Sequence, residues 1–277
     1  MSGSTLVSTQ QLASELADWR VFDCRHDLAD PSLGEQQYRE AHIPGATFAH
    51  LDRDLSGPRN GANGRHPLPD PAAFIAWLGR QGLEPARQVV CYDGGNGAMA
   101  ARLWWMLRWV GHDAVAVLDG GFALWRREGR PVTAEVPRFA PTAYPVTVRF
   151  DTALAVNHVE KSLGKLLLVD ARAPERYRGE REPIDPVAGR IPGARNRFNA
   201  ENLAADGTFK KKEILAKEFR ELLGKRPPGE TVHYCGSGVA ACHNLLAMEI
   251  AGLPGGKLYA GSWSEWSADP ARPRERG

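Results

Sequence analysis

Two segments decide the fold: VVCYDGGNGAMAARLWWMLRWVG at residues 89–111 and TVHYCGSGVAACHNLLAMEIAG at residues 231–252. Each begins with a short apolar run, passes through a glycine-rich turn and continues as a long, mostly apolar stretch. A continuous apolar run of this length is typical of a buried strand, and the glycine at the far end is an expected helix stop. Both segments therefore predict a strand, a tight turn and a helix.

The similarity between the two halves extends beyond these segments. VFDCR (21–25) is matched by LVDAR (168–172), HIPGA (42–46) by RIPGA (190–194), and DGGFALW (119–125) by AGSWSEW (260–266). Order and spacing are kept, which indicates an internal repeat rather than chance matches. Alternating strand and helix signals predict an α/β fold of two tandem domains, each a mainly parallel sheet covered by helices on both faces. We place the domains at 1–130 and 147–277, joined by a proline-rich linker at 131–146.

Composition excludes several classes of protein. The chain has 277 residues with 35 basic and 33 acidic side chains, a net charge of +2, and this balance gives no electrostatic footprint for nucleic acid. No apolar run is long enough to cross a bilayer, and the first residues lack the zones of a signal peptide, so a cytoplasmic location is expected. The four cysteines form no metal-binding spacing, and in the cytoplasm they are not expected to pair as disulfides.

The most informative of these cysteines is Cys235, which ends a predicted strand and begins the loop CGSGVAA. Glycines allow the backbone to curl with positive φ, so that successive N–H groups can converge on one point, and the following helix adds its positive end. A thiolate in that position would be stabilised and reactive. Cys91 and Cys242 lie in strand and helix sequence and are expected to be packing residues, and Cys24 lacks a glycine cradle.

Two kinds of chemistry use a cysteine in such a loop. A Cys-x5-Arg phosphatase needs an arginine six residues after the cysteine to bind phosphate, and that position is Ala241. Sulfur transfer remains: the thiolate takes a sulfur atom from a donor, holds it as a persulfide and passes it to an acceptor. Aligning Tyr92 with Tyr234 places Asp93 opposite Cys235, so the first repeat has a carboxylate where the second has a thiol.

From about residue 5 to residue 267 the chain resembles the two-domain rhodanese family of sulfurtransferases. The resemblance implies that the cysteine of the second domain alone carries the persulfide. The CGSGV loop looks like that of 3-mercaptopyruvate sulfurtransferases, which implies that Gly236, Gly238, Val239 and Ala240 bind the donor sulfur. Ala240 replaces the usual threonine of that loop.

The same resemblance implies a Ser-His-Asp relay beside the cysteine. Ser237 matches the serine of the loop, His66 in GRHPLP matches the histidine, and Asp52 in HLDRDL matches the aspartate. Two of the three come from the N-terminal half, which would place the site at the domain interface. The alternatives are that His66 caps the following segment and that Asp52 caps or pairs with a neighbouring arginine.

The family binds the carboxylate of its donor with two arginines that precede the second IPGA turn. Arg176 matches the first of them. The counted position of the second falls on Asp185, so we assign this role to Arg181, with Arg178 and Arg190 as alternatives.

These observations predict an enzyme that forms a persulfide on Cys235 from a small anionic donor, 3-mercaptopyruvate ahead of thiosulfate. Cyanide, a small thiol or thioredoxin would accept the sulfur, and no metal or organic cofactor is needed. One alternative is a thiosulfate:cyanide sulfurtransferase (a rhodanese). The other is a sulfur-relay module that delivers persulfide to a partner protein.

Overall fold

The computed structural model describes residues 5–145 and 147–277. Residues 1–4 of the predicted first domain and Val146, the last residue of the predicted linker, lie outside the described residues. The strands are β1 (Leu6–Val7), β2 (Arg20–Asp23), β3 (Ala46–Phe48), β4 (Val89–Tyr92), β5 (Val115–Leu118), β6 (Leu167–Asp170), β7 (Arg195–Asn196), β8 (Thr231–Tyr234) and β9 (Lys257–Leu258). The α-helices are α1 (Thr9–Glu15), α2 (Leu33–Glu40), α3 (Pro71–Arg80), α4 (Ala98–Trp109), α5 (Gly121–Arg127), α6 (Val156–Ser162), α7 (Pro174–Tyr177), α8 (Lys212–Leu223), α9 (Ala240–Ile250) and α10 (Ser262–Trp266).

The strands form two parallel sheets, as the repeat predicts. One has the order β1-β5-β4-β2-β3 and the other the order β7-β6-β8-β9, and every pairing within them is parallel. The two strands of the opening segments, β4 and β8, lie inside their sheets, and every residue of both is buried. The continuous apolar runs are therefore explained, because an interior strand of such a sheet has no solvated face.

The chain divides into two compact units. Among the described residues, the first unit comprises residues 5–57, 69–149 and 205–209, and the second comprises residues 58–68, 150–204 and 210–277. A division at the linker alone does not reproduce this grouping, because the short segment 58–68 belongs with the second unit. The proline-rich stretch after α5 is free of helix through its described residues, with Thr133 in one isolated bridge to His42.

Each unit has its own core around a tryptophan of the repeat. Trp125 packs with Val90 and Tyr92 in the first unit, and Trp266 packs with Val232 and Tyr234 in the second. Both indole rings are fully buried, and each donates its N–H to a backbone carbonyl at 2.8 Å. Burial with the polar end satisfied is the condition under which tryptophan stabilises a core.

The repeated Asp-x-Arg pattern is a buried ion pair in both units. Asp23 and Arg25 approach to 2.6 Å, and so do Asp170 and Arg172. Each guanidinium also donates to a backbone carbonyl just before the IPGA turn, at Ala41 O and at Gly189 O. The pair therefore ties the end of a strand to the following turn.

The IPGA turn is tied to the next strand by a tyrosine hydroxyl. Tyr92 accepts the N–H of Ile43 at 3.2 Å, and Tyr234 accepts that of Ile191 at the same distance.

The helices after the glycine-rich loops end as predicted, because Gly111 and Gly252 adopt φ of 85° and 72° directly after the helix caps. Searched over its described residues, the chain has no helix of the length and apolarity that a bilayer crossing requires.

Candidate active site

Cys235 lies directly after β8, at the carboxyl end of the second sheet, where open α/β sheets bind their ligands. Its Sγ accepts the N–H of Gly238 at 3.2 Å. Its backbone is held on both sides, because its N–H donates to Ser262 Oγ at 3.1 Å and its carbonyl accepts the N–H of Trp263 at 3.0 Å. The loop thus holds the sulfur in one place, with 4% of the residue exposed.

The two glycines of the loop serve different purposes. Gly238 has φ of 80°, and a Cβ there would also run into the carbonyl oxygen of Ala260. Gly236 does not have positive φ, in contrast to the expectation for both glycines. A Cβ on Gly236 would lie 2.7 Å from Nη2 of Arg65, so the guanidinium lies directly against the loop and would have to shift for a larger residue.

The rest of the loop leads into α9. Val239 is the residue before the helix and is buried, and Ala240 is its first residue. Cys242, in the first turn, donates its S–H to the carbonyl of Gly238 at 3.3 Å. Cys242 is buried, as the sequence predicts for a packing cysteine, and it supports the glycine whose N–H contacts Cys235.

The equivalent loop of the first unit shows what such a backbone can bind. The Asp93 carboxylate accepts N–H groups from Gly95 at 2.9 Å, Gly97 at 3.0 Å, Met99 at 2.9 Å and Ala100 at 3.3 Å. A cavity of about 340 Å³ adjoins this loop. The loop with its helix start is therefore a cradle for an anion, and in the first unit a side chain of the chain itself occupies it.

Ser237 and His66 are together in the second unit. Ser237 Oγ lies 2.7 Å from His66 Nδ1, and both residues are buried. His66 belongs to the segment 58–68, which is fixed by two further contacts: Gly64 packs against Gly261, and the N–H of Arg65 donates to Ser264 Oγ at 3.1 Å. The serine and histidine that the resemblance implies thus form a hydrogen-bonded pair beside Cys235.

Asp52 belongs to the first unit, where it lies near His26 and His50. The side-chain atoms of these three residues that could bind a metal lie within 4.8 Å of one another. His50 Nδ1, however, accepts the N–H groups of Asp52 at 3.1 Å and Arg53 at 3.3 Å. The lone pair of Nδ1 is therefore already used by two backbone N–H groups.

Arg176, the predicted first donor-binding arginine, lies beside the loop. Its Nη2 lies 3.4 Å from the point where a Cβ of Gly236 would be. The same guanidinium pairs with Glu182 at 2.6 Å and with Asp185 at 3.2 Å. Asp185, at the counted position of the second arginine, is buried between Arg176 and Arg65, with which it also forms an ion pair.

The other arginines considered for this role lie elsewhere in the second unit. Arg181 is exposed, Arg178 pairs with Glu180 at 2.6 Å, and Arg190 pairs with Glu275 at 3.4 Å. Arg65, which lies beside the loop, was not among the site residues predicted from the sequence. Its signal was its place directly before His66 in GRHPLP, which gives it the same position in the fold as the histidine.

Burial shifts the pKa of two groups close to the loop. The pKa of Arg65 is lowered, chiefly by desolvation, while the nearby Cys235 acts in the opposite direction. The pKa of His233, on β8, is lowered to about 3 by burial. His233 is therefore a neutral core residue at physiological pH, two positions before the cysteine.

The fold and the loop define a class: a tandem α/β protein whose second unit has a buried cysteine in a glycine-rich loop between a central strand and a helix. The rhodanese-like domain family matches residues 8–128 and 155–269, so the chain belongs to that family and carries two copies of its domain.

The chain is 50% identical over the full length of both chains to a probable 3-mercaptopyruvate sulfurtransferase of Pseudomonas aeruginosa. It is 38% identical to a putative thiosulfate sulfurtransferase of Mycobacterium tuberculosis, covering 99% of this chain and 98% of that protein. The structure of 3-mercaptopyruvate sulfurtransferase from Leishmania major is similar with a TM-score of 0.86 and 32% identity, covering 96% of this chain and 75% of that one.

Proposed function

We propose that this protein is a sulfurtransferase that forms a persulfide on Cys235, with 3-mercaptopyruvate as its preferred donor. The observation that carries the proposal is the loop itself, in which the Gly238 N–H points at Cys235 Sγ beside the Ser237–His66 pair. The four N–H groups around Asp93 support it, because they show that a glycine-rich loop between a strand and a helix of this fold can hold a negative charge, and the Cys235 loop leads into α9 in the same way.

In the first step the Cys235 thiolate attacks the sulfur of 3-mercaptopyruvate. The new S–S bond forms as the carbon–sulfur bond breaks, and the pyruvate enolate leaves with the bonding pair. The enolate takes up a proton to become pyruvate, and the persulfide gives up the proton of the donor thiol. We propose that Ser237 and His66 carry this proton, and their hydrogen bond of 2.7 Å supports this role.

In the second step a nucleophilic acceptor attacks the outer sulfur. The S–S bond breaks, the sulfur leaves with the acceptor, and the Cys235 thiolate is restored. We propose cyanide, a small thiol or thioredoxin as acceptor and the cytoplasm as the place of action. In this scheme the sulfur is carried by the cysteine, without metal or organic cofactor.

The donor must also be held by its carboxylate. Arg176 beside Gly236 is the proposed first contact, because a guanidinium binds a carboxylate through two parallel hydrogen bonds. Arg181 as the second contact and Asp52 as the third member of the relay remain predictions. Gly236, Gly238, Val239 and Ala240 are proposed to surround the transferred sulfur.

Mass spectrometry of the intact protein tests the proposal. After treatment with 3-mercaptopyruvate, the protein should gain one sulfur atom, and the Cys235→Ser variant should gain none. A gain that persists in this variant, or that maps to Cys24 or Cys91, would refute the assignment of the nucleophile. Comparing kcat/KM for the two donors then decides the preference, and a higher value for thiosulfate would refute the choice of donor.

The second candidate function is a thiosulfate:cyanide sulfurtransferase. Two guanidinium groups, of Arg65 and Arg176, lie beside the residue that follows Cys235, and such a site also suits a dianionic donor. The donor comparison separates the two functions without further variants.

A further inference from the structure

Arg65 is the cation closest to the loop residue that follows the nucleophile. Its Nη2 lies 2.7 Å from the Cβ position of Gly236, nearer than the 3.4 Å of Arg176 Nη2. Its backbone is fixed by the bond to Ser264 Oγ, and the next residue, His66, is fixed by Ser237. The position of the guanidinium is therefore set at the main chain as well as at the side chain.

The charges around Gly236 are arranged in two layers. The carboxylates of Asp185 and Glu182 are almost completely buried, with 2% and 3% of their side chains exposed. The side chains of Arg65 and Arg176 are 25% and 15% exposed. The acidic groups thus lie behind and the guanidinium groups in front, so a ligand that approaches Cys235 meets N–H donors.

Asp185 links the two arginines. One of its oxygens binds Nη1 of Arg65, and the other accepts from Nη2 of Arg176 at 3.2 Å. Asp185 binds Nη1 of Arg65, and the Nη2 group of the same guanidinium lies beside the loop. A shared carboxylate fixes the spacing of two guanidinium groups that would otherwise repel each other.

We propose that Arg65 is the second cation that binds the anionic group of the sulfur donor, together with Arg176, and that Asp185 positions both. The inference rests on the proposed function for the identity of the donor. The inference explains why this chain has Asp185 where the second arginine was expected. The segment 58–68 supplies the missing cation as Arg65. Arg181, by contrast, is exposed, and its side chain makes no hydrogen bond or ion pair with the described part of the chain.

Alkylation of Cys235 by iodoacetate and by iodoacetamide tests this binding directly. Both reagents form a carbon–sulfur bond and release iodide, and they are nearly equal in size, but only iodoacetate carries a carboxylate. The ratio of their two rates, followed by peptide mass spectrometry, cancels changes in the reactivity of the thiolate. It therefore reports on the anion site and not on the fold or on sulfur transfer.

We expect Arg65→Gln to lower the iodoacetate-to-iodoacetamide ratio about tenfold, the effect of losing one charge-assisted hydrogen bond. Arg65→Lys keeps the charge and should lower it less. Arg220→Gln is the matched control, because it removes the same charge from an exposed residue of α8 in the same unit and should leave the ratio unchanged. The double variant Arg65→Gln/Asp185→Asn removes both partners of the pair and should show a ratio at least as low, because Asp185 also holds Arg176.

Two results would overturn the inference. One is a wild-type ratio in both Arg65→Gln and the double variant. The other is a tenfold loss in Arg181→Gln without one in Arg65→Gln. With 3-mercaptopyruvate, Arg65→Gln should raise KM about tenfold and change kcat less. If the wild-type protein formed no persulfide from either donor, the proposed function would fail, while the alkylation ratio would still decide the role of Arg65.

Discussion

The Asp93 carboxylate offers a direct measure of how strongly the loop of a rhodanese-like domain holds an anion. Asp93→Ala would remove the acceptor of four backbone N–H groups, at 2.9, 3.0, 2.9 and 3.3 Å. A hydrogen bond to a charged group contributes about 1.5–3 kcal/mol, and buried donors left without a partner cost about 1–3 kcal/mol each. Water that enters the adjoining cavity offsets part of this sum. We expect the free energy of unfolding to fall by about 3 kcal/mol, the effect of two such bonds at the lower end of this range.

Urea unfolding with linear extrapolation measures the change. The matched control is Asp70→Ala, because Asp70 caps α3 and its carboxylate accepts a single N–H, from Ala73 at 3.0 Å. Loss of such a cap costs about 1 kcal/mol. Asp93→Asn keeps one acceptor oxygen and should lie between wild type and Asp93→Ala. If Asp93→Ala costs no more than Asp70→Ala, the loop is not a strong anion cradle, and the comparison with Cys235 loses its support.

Three further predictions concern the second unit. Ser237→Ala and His66→Ala should each lower kcat with 3-mercaptopyruvate by about 100-fold, as expected for loss of acid-base catalysis, with a smaller loss with thiosulfate; equal losses with the two donors would argue against a relay. The pKa of buried His233 is about 3, whereas that of an exposed histidine is about 6.5. Below pH 6.5 the unfolded state therefore binds a proton that the folded state excludes. The contribution of His233 to the free energy of unfolding is complete above pH 6.5 and falls by up to about 1.4 kcal/mol per pH unit below it. Urea unfolding of His233→Val at pH 6.5 and 4.5 should show a smaller loss on acidification than wild type, and an equal loss would contradict this origin. Gly238→Ala, which combines a left-handed φ with a clash against the backbone, should abolish the persulfide signal in intact mass, and normal labelling would show that the loop tolerates a side chain there.

The fold was largely predictable because the same sequence patterns for strands, turns and helices occur in both halves of the chain. Two apolar runs, each followed by glycines and an apolar helix, identify β4 with α4 and β8 with α9, and the structure places both strands inside parallel sheets. The repeated Asp-x-Arg pattern and IPGA turn are explained by buried ion pairs and tyrosine bonds in each unit. These features are local in sequence or repeated, and pattern analysis detects both.

The surroundings of Cys235 were less predictable, because they depend on contacts between residues far apart in the sequence. The contact of Arg65 with Asp185 spans 120 positions and that of His66 with Ser237 spans 171. Counting residues within the segment before the second IPGA turn leads to Asp185. It cannot show that a cation distant in sequence, Arg65, pairs with this aspartate. The glycine at 236 was likewise interpreted as serving a positive φ, whereas the structure shows that it lacks one and that a guanidinium lies against it.

The segment 58–68 limits how far the two halves of this chain can be treated as separable modules. It lies before the linker in sequence, yet it groups with the second unit and brings His66 and Arg65 to the loop of Cys235. A fragment that begins at residue 147 would keep the nucleophile and its sheet but would lack both of these side chains. Duplication supplied two similar halves, but the exchange of this short stretch makes them interdependent, so that neither half alone carries the complete proposed chemistry.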